Sequence, residues 1–307
     1  METVVVLSGR SYRFRSLQVT EVVCVNRMLR AEYGDSYPYP LSAERLRRES
    51  VYVVCVDEQD EIVAFAKAEY RNPGFYEVGG LIIDPRHRVT GLGTAIVTQC
   101  ITEAYRRGAR MIFAEPVCYR SDHASQRLFL RLGFRHVAVE LFKYPNIQKS
   151  FLGDQPETVT VGVLPPPDDL LDLGRPLFVP ADYVRPLELL LGRGVAGSDR
   201  TLVSGPMPEV VSYQAVNFEG YLGSDFRDVP VNWPEAAHAI EAARAEGFLL
   251  SGIMPSFGRY AHGAAFDYLR LYRPPTGVRP DFDRVHVVET LRSFVDEMRT
   301  EHRRRYA

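Results

Sequence analysis

Cysteine and tryptophan are scarce: four and one, respectively, in 307 residues. Cys24, Cys55, Cys100 and Cys118 are scattered, with no CxxC pair. A disulfide scaffold and a thiolate zinc site are both disfavoured by that spacing. Three of the four lie in or beside apolar or helical stretches (VVCVN, YVVCVD, VTQCIT) and read as small buried side chains. The histidines show no HExxH or other metal spacing, so no metal is expected. GxSxG is absent too, and no Ser-His-Asp triad assembles. Long apolar runs are missing, as is a basic segment followed by an apolar one at the N-terminus. Membrane spanning and secretion are therefore not expected, and a reducing cytoplasm is. Charge of one sign is also lacking, with 37 Lys and Arg against 39 Asp and Glu. Residues 1–150 hold 21 basic and 17 acidic side chains, and the remainder 16 and 22. Neither half is basic enough to suggest a nucleic-acid surface.

What is present suits a packed protein. Hydrophobic residues make up 46% and charged residues 25%, enough apolar material for a real core. The length suggests two domains. An amphipathic stretch over 16–32 places Leu17, Cys24, Val25, Met28 and Leu29 at helical spacing. The tyrosine-rich turn YGDSYPYP follows, then a second helix capped by Ser42 and running through Glu49. Residues 51–57 and 61–70 read as paired strands around DEQDE, and 76–84 as a further strand ended by Pro85. The period then switches: helix 91–107, strand 111–115, helix 122–132 and strand 134–143. An α/β domain with helices covering a mixed sheet follows from that order.

The sharpest feature is the strand-to-helix junction LIIDPRHRVTGLGTAIVTQC. Unpaired N–H groups at a helix start, aided by the helix dipole, stabilise an anion. Gly91 and Gly93 let a ligand lie against the backbone, and Arg88 can add charge-assisted bonds to phosphate. The turn lacks both the Lys-Ser or Lys-Thr ending of a P-loop and the GxGxxG of a dinucleotide fold.

On these residues the sequence resembles the GNAT superfamily of acyl-CoA-dependent N-acyltransferases. In that family Arg/Gln-x-x-Gly-x-Gly/Ala binds the coenzyme A pyrophosphate, and Arg88-Val89-Thr90-Gly91-Leu92-Gly93 matches it fully. The commoner extended form has glycine after the arginine, where this chain has Val89. The resemblance covers about residues 12–144. It includes the closing segment SDHASQRLFLRLGF, set against the usual Asn-x-x-Ala-x-x-Leu-Tyr-x-x-x-Gly-Phe. Asp122 stands for Asn, Ser125 for Ala and Phe129 for Tyr, while Leu128, Gly133 and Phe134 match.

The resemblance implies a GNAT fold: a mixed, mostly antiparallel central sheet flanked by helices. It implies that acetyl-CoA or another acyl-CoA is the donor, held by Arg88, Val89, Thr90, Gly91, Leu92, Gly93 and Thr94, with backbone near Leu81 and Ile83 polarising the acyl carbonyl. The acceptor would be an amine on a small molecule or peptide. Phe129 cannot donate a proton as the family's tyrosine does. His123, at a helix start that depresses its pKa, is a substitute or a plain first-turn residue beside the cap Asp122. Tyr119 is an alternative acid or a loop residue. Glu77 shares a strand face with Gly79, Leu81 and Ile83, as base, amine ligand or solvated strand-end residue. Glu115 ends the next strand and lines the same cleft on this reading. Tyr33, Tyr37 and Tyr39 either wall the acceptor or clamp their loop. Arg86 either reaches the 3′-phosphate of coenzyme A or pairs near Asp84.

Three segments are expected: a GNAT-like acyl-CoA-binding domain over 1–148, an irregular connection over 149–205, and a second α+β domain over 206–307. The connection is rich in Pro, Gly and Asp, with a helix near 180–191. Beyond it, strand 210–219, helix 234–246 and strands 247–253 and 264–272 echo the end of the first half, and a last helix covers 286–300. The resemblance makes this half a degenerate GNAT-like unit that shapes acceptor specificity, or a module for a peptide or protein. Acyl transfer is the leading expectation. Non-catalytic acyl-CoA or protein binding is one alternative, and altered thioester chemistry (hydrolysis, decarboxylation or O-acylation) another. A monomer or homodimer is expected.

Overall fold

A computed structural model of the 307-residue chain describes residues 2–35, 40–46, 49–88, 91–119, 121–144, 156–164, 175–192, 195, 224–259 and 265–306. The expected strand at 210–219, Tyr37 and Tyr39 lie outside the described residues.

The chain opens with a hairpin, β1 (Glu2–Leu7) and β2 (Arg10–Ser16), that pairs antiparallel. In β2 the fully buried Tyr12 and Phe14 alternate with Ser11, Arg13 and Arg15, so the period is two despite the charge. Helix α1 (Val22–Tyr33) and the short α2 (Ala43–Leu46) follow. Strands β3 (Val51–Val56) and β4 (Ile62–Asn72) continue the meander into β5 (Phe75–Ile83). Every residue of β3 is buried, because both faces are covered. Val51, Val53 and Cys55 pack with the apolar side of α3 (Leu92–Arg106), while Tyr52 and Val54 pack with Val25 and Leu29 of α1. Alternating side chains on one strand thus join two helical layers.

Helix α3 carries the chain over to β6 (Met111–Ala114), which lies parallel to β5, as a helical crossover allows. Helix α4 (Ala124–Arg131) leads to β7 (Arg135–Tyr144). The next strand corrects the expected irregular connection: residues 157–164 form β8 (Glu157–Leu164), inserted between β6 and β7. Its sequence ETVTVGVL is β-branched and alternating, and the surrounding proline-rich texture hid it. Helix α5 (Ala181–Leu191) falls where a helix was expected.

The second half adds β9 (Asp225–Pro230), α6 (Ala236–Ala245), β10 (Leu249–Arg259), β11 (Ala265–Arg273) and α7 (Glu289–Tyr306). Gly247, at φ +93°, ends the turn after α6 as the sequence suggested. The eleven strands of the described residues form one sheet in the order β1-β2-β3-β4-β5-β6-β8-β7-β10-β11-β9. Among the described residues, β7 and β10 share a single ladder pair, Ala138 with Gly252. Side chains reinforce this thin seam. Val139 and Leu141 pack with Ile253, Leu269 and Leu271, and Phe257 packs tilted against Phe75 and edge-on against Phe113, ring centres 5.5 and 5.7 Å apart. No described helix is long and apolar enough to cross a membrane.

Candidate functional site

Strands β5 and β6 pair from Phe75 with Met111 to Val78 with Ala114, and then part. Among the described residues, the edge of β5 from Gly79 to Ile83 has no ladder partner on that side. A bulge sharpens the divergence: Gly80 and Leu81 stand opposite Ala66 alone, with Gly80 at φ +62°. The gap opens into a cleft of about 450 Å³, floored by Gly79–Ile83 and walled by residues of α1, α4 and β8 and by Glu115, Pro116 and Val117 just after β6. Backbone amides of a strand edge facing a cavity need partners from a ligand or from water.

One end of the cleft reaches the glycine turn. Asp84 accepts from the Arg86 backbone N–H at 2.9 Å and closes a 3-10 turn over Pro85–His87. Its side chain also holds the Arg86 guanidinium, at 3.1 and 2.9 Å, and that pairing pulls the Asp84 pKa to about 2. Arg88 donates Nε–H to the Ile83 carbonyl at 3.2 Å and Nη2–H to Glu32 on α1 at 3.3 Å, and lines the cleft. Gly91 caps α3 at φ +96°, a left-handed position costly for residues with a Cβ. The first α3 amides then point out of a fifteen-residue helix beside Gly93, which also lines the cleft. Leu92 is buried in the core, so it can offer its backbone but not its side chain.

The other end is ionic. Glu77 lines it, and Arg71 donates both Nε–H, at 2.8 Å, and Nη2–H to Glu77 Oε2. Lys67 bonds Glu69 at 2.5 Å. Burial opposes ionisation of Glu69, yet Lys67 and Arg71 hold its pKa below the ordinary carboxylate value. Glu115 accepts from Lys143 Nζ at 2.5 Å and from the Tyr144 hydroxyl. Burial raises its pKa, and Lys143 only partly offsets that effect. Glu157 and Val159 of β8 complete the wall.

Residues 23–134 match the acetyltransferase (GNAT) family. The first half carries a GNAT-superfamily acetyltransferase-like domain. Solved structures similar to it include the ribosomal-protein-S18-alanine N-acetyltransferase from Escherichia coli, at 20% identity and a TM-score of 0.41. That alignment covers 53% of this chain and 98% of the other. A phosphinothricin acetyltransferase from Sinorhizobium meliloti in complex with AcCoA shows 16% identity, a TM-score of 0.41 and coverage of 50% and 86%. A spermidine/spermine N-acetyltransferase from Vibrio cholerae shows 12% identity, the same TM-score and coverage of 50% and 93%. No curated protein matches the chain significantly.

Within the GNAT-like domain, the structure brings Glu77, Leu81, Ile83, Arg88, Gly93 and Tyr119 to one cleft. Val89 and Thr90 lie outside the described residues, and Thr94 sits half-buried in the first turn of α3. His123 does not line the cleft. It caps α4 in a left-handed conformation, and burial, Arg127 and His286 together lower its pKa. Phe129 lines the cleft and packs edge-on against Phe134, ring centres 4.9 Å apart. Sequence reasoning missed Lys143, Tyr144 and Glu157 at the ionic end. The lysine lies at the end of the strand expected over 134–143 and the tyrosine one residue beyond it, and Glu157 opens the strand that was read as linker.

Gln126 was missed as well. It is fully buried on α4, donating Nε2–H to the carbonyls of Val117, at 3.1 Å, and His286, at 2.8 Å. Its Oε1 accepts from the Val288 N–H at 2.9 Å. The segment carrying Tyr119 is therefore gripped by the second half, since the His286 N–H also donates to the Cys118 carbonyl at 2.7 Å.

Proposed function

We propose that the first half transfers an acyl group from acyl-CoA, by default acetyl-CoA, to an amine. The observation that carries this reading is the parting of β5 from β6, which leaves strand 79–83 facing a cleft that runs to the amides of α3. A thioester laid along that edge has N–H groups at Leu81 to Ile83 available for its carbonyl oxygen, where charge develops during attack. The pyrophosphate falls to Arg88 and the turn through Val89, Thr90, Gly91, Leu92, Gly93 and Thr94. The acceptor enters from the ionic end, where Glu77 orients the amine. Tyr119 stands where a proton for the departing sulfur is needed, in place of the hydroxyl that Phe129 lacks.

The test joins binding to turnover. The unaltered chain is expected to bind acetyl-CoA in calorimetry, and Gly91→Glu to abolish binding through bulk and charge at the turn. Equal affinity in both proteins removes the donor-site assignment. With an amine found by panel screening, Tyr119→Phe is expected to lower kcat at least ~10-fold with KM little changed. Undiminished kcat would move the acid elsewhere.

Phe129 favours a second reading, a domain that binds acyl-CoA without turning it over. Its ring is 5% exposed and packed on Phe134, offering no proton donor at that position. Tight acetyl-CoA binding without turnover across a broad amine panel is the result that selects it.

A further inference from the structure

A line of buried charge runs from the cleft into the second half. Glu115 ends at the cleft wall with its side chain 5% exposed. Lys143 Nζ, 3% exposed, lies 2.5 Å from Glu115 Oε1 and 2.5 Å from Glu140 Oε2. Glu140 is fully buried, and its Oε1 accepts from Arg270 Nη1 at 2.5 Å. Arg270, on β11, donates Nε–H and Nη2–H to the two oxygens of Asp228 on β9, at 2.8 and 2.7 Å. Signs alternate along the whole line.

Such a line is a poor source of stability. Desolvating paired ions costs about as much as their attraction returns, and apolar side chains of similar volume often serve as well. The same face of the seam is otherwise packed with Ala138, Met254 and Tyr268, so an apolar solution was at hand. Its open end is what distinguishes it. Glu115 accepts one bond on each oxygen, from Lys143 and from Tyr144, and each oxygen keeps a lone pair for a further donor in the cleft.

We propose that Glu115 takes the proton of the acceptor's ammonium, and that Arg270 of the second half is a positioning residue for it, acting through Glu140 and Lys143. This rests on reading the cleft as an acyl-transfer site. In the step, one N–H bond of the ammonium breaks and an O–H bond forms on Glu115. The freed nitrogen pair forms the C–N bond, the C–S bond breaks, Tyr119 gives its hydroxyl proton to sulfur, and the second nitrogen proton restores the Tyr119 hydroxyl. Glu115 then returns its proton to water, so charge and protons balance without any redox partner. Lys143 is divided between two carboxylates, and Arg270 fixes the division by holding Glu140. Tyr144 from β7 bonds Glu115 and Glu77 from β5 acts on it electrostatically, while Lys67, Glu69 and Arg71 from β4 and Glu157 from β8 line the same cleft. Burial raises the Glu115 pKa, Lys143 lowers it, and Glu77 and Glu140 raise it again.

Opposite shifts are expected from two variants of the full chain. Glu140→Gln keeps the shape but leaves Lys143 to Glu115 alone, so Glu115 and the acid limb of kcat/KM move to lower pH. Arg270→Gln frees Glu140 to draw Lys143 away, so both move to higher pH and kcat/KM near neutrality falls ~10-fold. Because Arg270→Gln strands Glu140 and Asp228 in a dry site, Arg270→Gln with Asp228→Asn removes one charge of each sign and is the safer partner. The Glu115 carboxyl is followed by carbon NMR on glutamate-labelled protein, its signal identified by its loss in Glu115→Gln. Acetyl-CoA affinity by calorimetry is expected to be unchanged throughout. A carboxyl that titrates at one pH in every variant overturns the link to Arg270, with or without turnover. An acid limb that stays put while the carboxyl shifts overturns the role of Glu115 as base. Loss of acetyl-CoA binding in the unaltered chain defeats the acyl-transfer reading instead and removes the base role with it, while the carboxyl titration still decides the link.

Discussion

His136 on β7 is 6% exposed, and burial depresses its pKa to about 4. An imidazole in the unfolded chain takes its proton near pH 6.5, so between those values the unfolded state binds more protons. Stability carried by neutral His136 is therefore lost as pH falls from about 6.5 toward 4. Glu103 works in a lower window. Hydrogen bonds from Arg106, and next from Arg107, outweigh burial and hold its pKa near 2, so its contribution is lost as pH falls from the ordinary carboxylate range toward that value. Thermal unfolding from pH 7 to 3 is expected to show both. His136→Gln should flatten the upper window and Glu103→Gln the lower one, and a variant with an unaltered slope contradicts its assignment. The same scale shows what single residues disclosed in advance. Glu77 was singled out by strand period and Tyr119 by its place a few residues before His123, and both line the cleft. His123 was placed by its neighbourhood in sequence alone, and a left-handed cap turns it away from the cleft lining.

Elements were legible where neighbours in sequence are neighbours in space. The meander of β3, β4 and β5 and the crossover through α3 to β6 follow from period and turn residues. Strand β8 did not emerge, because the Pro and Gly on both sides dominated the texture, although its partner β7 directly precedes it among the strands. Strand β2 was obscured by arginines on its outer face. The seam between the halves had no sequence signature at all, yet one glycine controls it. A Cβ on Gly252 would lie 2.4 Å from Ala138 Cα and 2.4 Å from the Val137 carbonyl oxygen, both backbone atoms of the adjoining strand. Gly252→Ala is expected to cost about 1–3 kcal/mol in urea unfolding, because the added methyl must push β10 from β7. Unchanged stability would show that the seam yields freely.

At the scale of the molecule, the second half is joined to the first by core as well as by ladder. Cys118, Val139 and Leu141 share a cluster with the helices and strands of the second half, and Phe257 covers Phe75 and Phe113 behind the cleft. The buried charges and the Gln126 clamp use the same contact to reach the cleft wall. The order of strands in the sheet also bears on how the protein is made. Both ladder neighbours of β7, which are β8 and β10, follow it in the chain. A ribosome therefore releases β7, with its apolar face and its Glu140 and Lys143, before any strand that will flank it exists. A nascent chain halted with residues to 150 outside the exit tunnel should be cut readily within β7, and one halted after 164 should be protected. Early protection in the shorter chain would mean that α4 alone can hold the strand. Until translation supplies β8, this segment is open to whatever chaperone waits at the ribosome.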